Sequence, residues 1–209
     1  LSVTFVQTFS LPILGKGRLR LTVLVTLMNS CTLFAWWGLN LWIPSYLSMA
    51  ASHGGIGLGP KLMSGLVIFM QVGMWLGYVS FGFISDKIGR KKSYLGFLIA
   101  AALFVLLYSS TRQPLWLLLL GPFVAFFGTG YFSGFGALTA ELYPTAIRAT
   151  AQGLTYNTGR IVSAAAPFVV GSLAQTRGFG FAFASIAGAF FLAAVFWIWI
   201  PETRGRELE

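Results

Sequence analysis

The chain has 209 residues, of which 56% are hydrophobic and only 9% charged, and phenylalanine alone occurs 20 times. No soluble domain hides that much apolar surface, so a water-soluble globule is excluded and a membrane protein implied. The formal charge of +9 arises from 14 Lys and Arg against 5 Asp and Glu; these bases sit in loops flanking apolar runs, not along one groove-sized face, which excludes a nucleic-acid binder.

Residues 1–20 contain no continuous apolar run of membrane length, are interrupted by Pro12, Gly15 and Gly17, and end in Lys16, Arg18 and Arg20. They are expected to form the end of a cytoplasmic linker, with no signal peptide ahead of it, as in a piece of a longer protein. Six apolar runs follow, at about 21–47, 61–84, 93–110, 115–139, 151–174 and 180–200, each near the roughly 20 residues that carry a helix across a hydrocarbon core of about 30 Å. Every backbone polar group in that core needs an internal partner, so the predicted fold is all-α, a six-transmembrane-helix bundle. Residues 201–209 are left as a cytoplasmic tail. If the spans alternate, Lys16, Arg18, Arg20, Lys87, Arg90, Lys91, Lys92, Arg148, Arg204 and Arg206 share one side, and Lys61, Arg112 and Arg177 the other. The positive-inside rule makes the first group cytoplasmic, with both ends of the segment on that face of a cell membrane.

Most Trp and Tyr near span ends, namely Trp37, Trp42, Tyr46, Tyr94, Tyr108, Trp116, Trp197 and Trp199, read as headgroup-zone anchors. Gly65, Gly73 and Gly77 in the second span, and Gly130 and Gly134 in the fourth, read as positions of close helix approach. A lone Cys31 and a lone His53 supply neither a disulfide nor a metal cluster, and with no clustered carboxylates there is no nucleophile–base pair. No cofactor and no enzyme activity are expected.

Between the second and third spans lies Gly82, Asp86, Lys87, Gly89, Arg90, Lys91 and Lys92, a glycine, an acid and a run of bases in one short turn. Two more stretches carry charge at span ends: Glu141, Tyr143, Pro144, Thr145 and Arg148 followed by Gly153, and Pro201, Glu202, Thr203, Arg204 and Gly205. Together they resemble the major facilitator superfamily, whose loop signature Gly-x-x-x-Asp-(Lys/Arg)-x-Gly-Arg-(Lys/Arg)-(Lys/Arg) is matched at every specified position. The resemblance covers the chain from about residue 21. It implies the carboxyl-terminal half of a twelve-helix carrier whose other half precedes Leu1, and a gating charge network of Asp86, Arg90, Glu141, Arg148 and Glu202 that ties helix ends together in one state and parts in the other.

Arg160 lies near the middle of the fifth span, where a charge costs at least about 2.5 kcal/mol. A helical projection places Gly153, Tyr156, Asn157, Arg160, Ser163, Ala164, Pro167 and Gly171 on one face, aiming Arg160 into the bundle, with Leu154, Ile161 and Phe168 opposite. No Asp or Glu lies within the spans except Glu141 at the end of the fourth. The partner of Arg160 is therefore either an anionic substrate, which suits a guanidinium fork, or a carboxylate on the other half. Further candidate lining residues are Tyr156, Asn157, Trp36, Asn40 and Gln71; Asn29 and Thr32 share the stripe of the first span. The segments Trp37–Leu47 and Tyr156–Arg160 resemble organic-acid:proton symporters, including sialate, monocarboxylate and aromatic-acid types. The reading is a secondary transporter of a small organic anion, by proton symport and alternating access. A sugar or drug carrier in which Arg160 pairs with the other half, and a non-transporting receptor on the same fold, are the alternatives.

Overall fold

The computed structural model describes Gly15 and residues 18–205. Lys16, Arg206 and most of the expected linker and tail lie outside the described residues. The helices are α1 (Arg18–Ser48), α2 (Pro60–Ile88), α3 (Arg90–Ser110), α4 (Pro114–Thr129), α5 (Phe135–Leu142), α6 (Thr145–Ser163), α7 (Ala166–Arg177) and α8 (Phe179–Phe196), with short 3-10 turns at Ala51–His53 and Gly130–Gly134. No strand occurs among the described residues. Five stretches are long and apolar enough to cross a membrane: α1, α2, α3, residues 114–142 taken together, and α8.

The expected fifth span, 151–174, is not one helix. It is broken between α6 and α7, at Ala164 and Ala165. Pro167 explains the break: it has no N–H to give to Ser163, and its ring crowds that carbonyl. The chain tightens instead, with Ala164 N–H shared between the carbonyls of Arg160 and Ile161 at 3.1 and 3.2 Å and Ala165 N–H on Val162 at 3.2 Å. Trp42 of α1 donates its indole N–H to the Pro167 carbonyl at 2.8 Å and so fastens the far side of the break.

α1 forms the hub, packed against α6, α7 and α8, while α2 packs on α4 and α3 on α8. The α1–α6 contact follows an i, i+4 stripe of Ile147, Ala151, Thr155, Gly159 and Ser163, all buried. Asn29 donates to the Thr155 carbonyl across it at 3.2 Å, and Thr32 bonds back to Asn29 at 2.9 Å. These two polar residues of the first span therefore belong to helix packing. Gly73 and Gly77 lie against the backbone of Pro122 and Phe126, so close that a methyl group at Gly77 would stand 2.5 Å from the Phe126 carbonyl oxygen. Gly130 and Gly134 are similarly confined, as expected, but a methyl group placed on Gly65 would meet nothing within 4 Å outside its own helix, which corrects its reading as a packing position.

A second correction concerns the span-end aromatics. Tyr46, Tyr94, Tyr108 and Trp197 are all buried, not set in a headgroup belt. Their helix ends face neighbouring helices, and the rings cluster: Tyr94 stacks on Trp197 with centroids 4.4 Å apart, and Tyr46 meets Phe179 and Phe183 at 5.1 Å each. Trp37, Trp116 and Trp199 are exposed, and so are Ile68, Phe83, Ile161 and Phe168, the last at 80%. An apolar exterior of this kind suits a hydrocarbon surround.

Candidate substrate cavity and charge network

An open cavity of about 430 Å³ lies among α1, α2, the 130–136 turn and α6. Its walls are aromatic: Trp36 and Trp37, Tyr78, Phe132, Phe135 and Tyr156. Gln152 adds an amide, with Leu33, Gly136 and Gly153 completing the lining. Neither α3 nor α8 contributes a residue. The 3-10 turn at Gly130–Gly134 and the restart of helix at Phe135 bring Phe132 and Phe135 to the same wall. A straight helical projection of residues 115–139 does not foresee that. Gln152, four residues before Tyr156, was legible from the α-helical period and was missed.

Of the expected lining residues, Trp36 and Tyr156 are in the cavity wall. Asn40 is half-buried on α1 and Gln71 exposed on α2, both beyond the lining. Asn157 is exposed and donates to the Gly153 carbonyl at 2.9 Å. Arg160 is exposed, four residues on from Tyr156 and one turn before the helix break. It does not point into the six-helix bundle, because the stripe through Thr155 and Gly159 holds that direction. Arg160 is not among the residues lining the cavity; it lies one turn along α6 from the lining residue Tyr156. The described acids, Asp86, Glu141 and Glu202, all belong to the opposite, charged end of the bundle.

That charged end is assembled from three distant segments. Gly89, at φ +102°, makes the corner between α2 and α3, a conformation L side chains rarely adopt. A methyl group there would also stand 2.7 Å from a Glu202 oxygen. α3 then begins with Arg90, Lys91 and Lys92, three cations where the helix dipole favours anions. Glu202 supplies the missing negative charge. Its carboxylate accepts the backbone N–H groups of Arg90 at 2.9 Å and Lys91 at 3.1 Å, capping α3 from the other end of the chain, and also those of Thr203 and Arg204 at 3.0 and 3.1 Å. Partial burial pushes this carboxyl up, but the N–H groups of Arg204, Arg90, Lys91 and Thr203 outweigh it and hold the group below its ordinary value.

Arg90 reaches from that cap into the bundle. Its Nη2 donates to Glu141 at 2.9 Å and its Nε lies 3.2 and 3.3 Å from the two Glu141 oxygens, a fork-on-carboxylate arrangement. Nη1 donates to Ser85 at 2.9 Å and pairs with Asp86. Thr203 donates its hydroxyl to Glu141. The Arg90 and Glu141 side chains are only 15% and 12% exposed, against 66% for Asp86. The structure thus joins Asp86, Arg90, Glu141 and Glu202. Arg148 stands alongside, with Nε 3.4 Å from the Tyr143 carbonyl. Ser85 and Thr203, which the expected network did not include, are part of the cluster.

The family model described as Major Facilitator Superfamily matches residues 25–209. The chain belongs to this superfamily. Carriers of related sequence include a protein of Haemophilus influenzae named for metabolite transport, 36% identical over 97% of this chain and 49% of its own length. The cis,cis-muconate transport protein of Acinetobacter baylyi is 33% identical over 90% of this chain and 45% of its own. The sialic acid transporter of Escherichia coli is 28% identical over 86% and 44%. The chain therefore spans about half the length of the curated relatives it matches. A crystal structure of a peptide transporter POT in complex with alafosfalin superposes with a TM-score of 0.72 at 18% identity, over 92% of this chain and 41% of that one, which establishes the shared fold. The facilitator is a multi-pass membrane protein of a transporter family, and not an enzyme.

Proposed function

We propose that this facilitator segment carries half of the path of a small organic anion through a cell membrane, by proton symport and alternating access, the other half of the cavity being supplied by a preceding six-helix unit. Both ends of the segment face the cytoplasm in this reading. The observation that carries it is Arg160: an exposed guanidinium one turn beyond the cavity-lining Tyr156 and one turn before a helix break, with the described carboxylates all at the other end of the bundle. Broken helices at membrane depth are where carriers place substrate sites. Trp36, Tyr78 and Tyr156 offer flat apolar faces to the substrate's carbon skeleton, and Gln152 an amide. The relatives that transport muconate and sialic acid handle carboxylates of this size, which supports the same class of cargo here. Asp86, Arg90, Glu141, Arg148 and Glu202 serve as the gate: they hold helix ends together in the state described and part in the other.

The test compares uptake of a small carboxylic acid with that of its neutral amide in proteoliposomes. The wild-type carrier prefers the acid, and Arg160→Ala loses that preference by about 10-fold to 100-fold, the equivalent of a charged hydrogen bond worth about 1.5–3 kcal/mol. Equal acid-over-amide preference in the two proteins refutes the substrate role and assigns Arg160 to a carboxylate on the other half. Uptake that ignores an imposed proton gradient refutes the symport.

A further inference from the structure

On the side of the bundle away from the substrate cavity, α3 and α8 pack antiparallel and leave a groove of about 360 Å³ between them. Its walls are Ile99, Leu103 and Leu106 of α3 and Phe191 of α8, and its floor includes Ala184 and Gly188. Leu103 and Phe191 are 56% and 58% exposed, so the groove opens to the hydrocarbon surround. The seven-residue intervals from Ile99 to Leu106 and from Ala184 to Phe191 make it about 10 Å long at 1.5 Å per residue. A groove of that length and volume admits a stretch of acyl chain between its walls.

Beyond the groove, the end of the bundle where α3 finishes and α8 starts is basic. Arg177 sits there with its guanidinium 5.0 Å above the Phe181 ring, which lies on α8 one turn before Ala184. Arg112 follows α3 by two residues, next to Thr111, whose carbonyl accepts from the Tyr46 hydroxyl at 3.4 Å, and the Tyr46 ring meets Phe179 at the start of α8. Both arginines are exposed. The described carboxylates, Asp86, Glu141 and Glu202, belong to the opposite, charged end. We infer that this groove is a binding site for an anionic phospholipid of the adjacent leaflet, its acyl chain lying between Leu103 and Phe191 and its phosphate against Arg112 and Arg177. The floor is built of small residues because a chain must lie on it: nothing stands within 4 Å of a methyl group placed on Gly188.

Lipid retention by the purified carrier, reconstituted in vesicles of equal phosphatidylglycerol and phosphatidylcholine and read by native mass spectrometry, tests the site without reference to transport. The wild type retains phosphatidylglycerol preferentially. Arg112→Gln and Arg177→Gln each reduce that preference by about five-fold, as one basic residue near a membrane surface is worth about that factor. Gly188→Leu and Ala184→Leu fill the groove and abolish the tightly retained lipid of either headgroup, with the thermal midpoint unchanged. Unaltered preference in both arginine variants overturns the headgroup contact, and lipid retained in both leucine variants overturns the groove. A dimer that Gly188→Leu dissolves assigns the face to a second copy and likewise overturns the proposal.

Discussion

Replacing Glu141 by glutamine removes the charge that Arg90 forks onto while keeping the shape and the oxygen that accepts from Thr203. Breaking a buried ion pair by deleting one partner costs about 3–5 kcal/mol. The Arg90 and Glu141 side chains are 15% and 12% exposed, and Asp86 still offers Arg90 a carboxylate. That residual pair is 66% exposed on the Asp86 side and worth about 0–1 kcal/mol. Subtracting it, and allowing for the partial exposure, leaves a cost of about 2–3 kcal/mol for Glu141→Gln. Every group in the cluster is tied to the Glu202 cap, so the cost appears as local opening of the corner between α2 and α3. Hydrogen exchange read by mass spectrometry on the peptides containing Arg90, Lys91, Thr203 and Arg204 measures it directly. Glu141→Gln speeds exchange there by about 30-fold or more at about 1.4 kcal/mol per decade, with little change in the α1–α6 stripe. A cycle with Arg90→Gln returns most of the same energy as coupling. If the two single variants add and exchange at the corner is unmoved, the fork is not what holds these helix ends, and its assignment as a gate fails with it.

Other expectations follow from the same geometry. Glu202 is held below its ordinary value of 4.5, so its contribution is complete above that pH and is lost as the pH falls through the lowered folded value; exchange at Arg90 and Lys91 accelerates on acidification in that window, and Glu202→Gln flattens the profile. Gly73→Val forces α2 off α4 and costs about 1–3 kcal/mol by overpacking, read as a lowered unfolding midpoint in detergent, whereas Gly65→Ala, with nothing within 4 Å, leaves the midpoint unchanged.

The helical architecture was legible because apolar length and loop charge are enforced by the bilayer one residue at a time, without help from tertiary context. Asp86, Arg90, Glu141 and Glu202 were grouped by the family resemblance, and acids placed among bases at span ends added weight to that grouping. Contacts that depend on two helices at once were not legible. Whether Tyr94 faces headgroups or Trp197 depends on how α3 meets the chain after α8. Asn29 looked like a lining residue until α6 took its amide. The break before Pro167 could have been read from the proline itself. Phe132 and Phe135 were hidden by the 3-10 turn, which rotates them away from the positions an unbroken helix dictates.

The contact between α2 and α4 has a mechanical corollary. At Gly73 and Gly77 there is no side chain between the two backbones, hence no rotamer to swing and no soft layer to shear. The pair behaves as a single rigid beam, carrying Tyr78 at its cavity edge and Asp86 near its tip. Displacement of that wall is then transmitted to the α2–α3 corner without slack, and the flexing is left to the joints at either end of the beam.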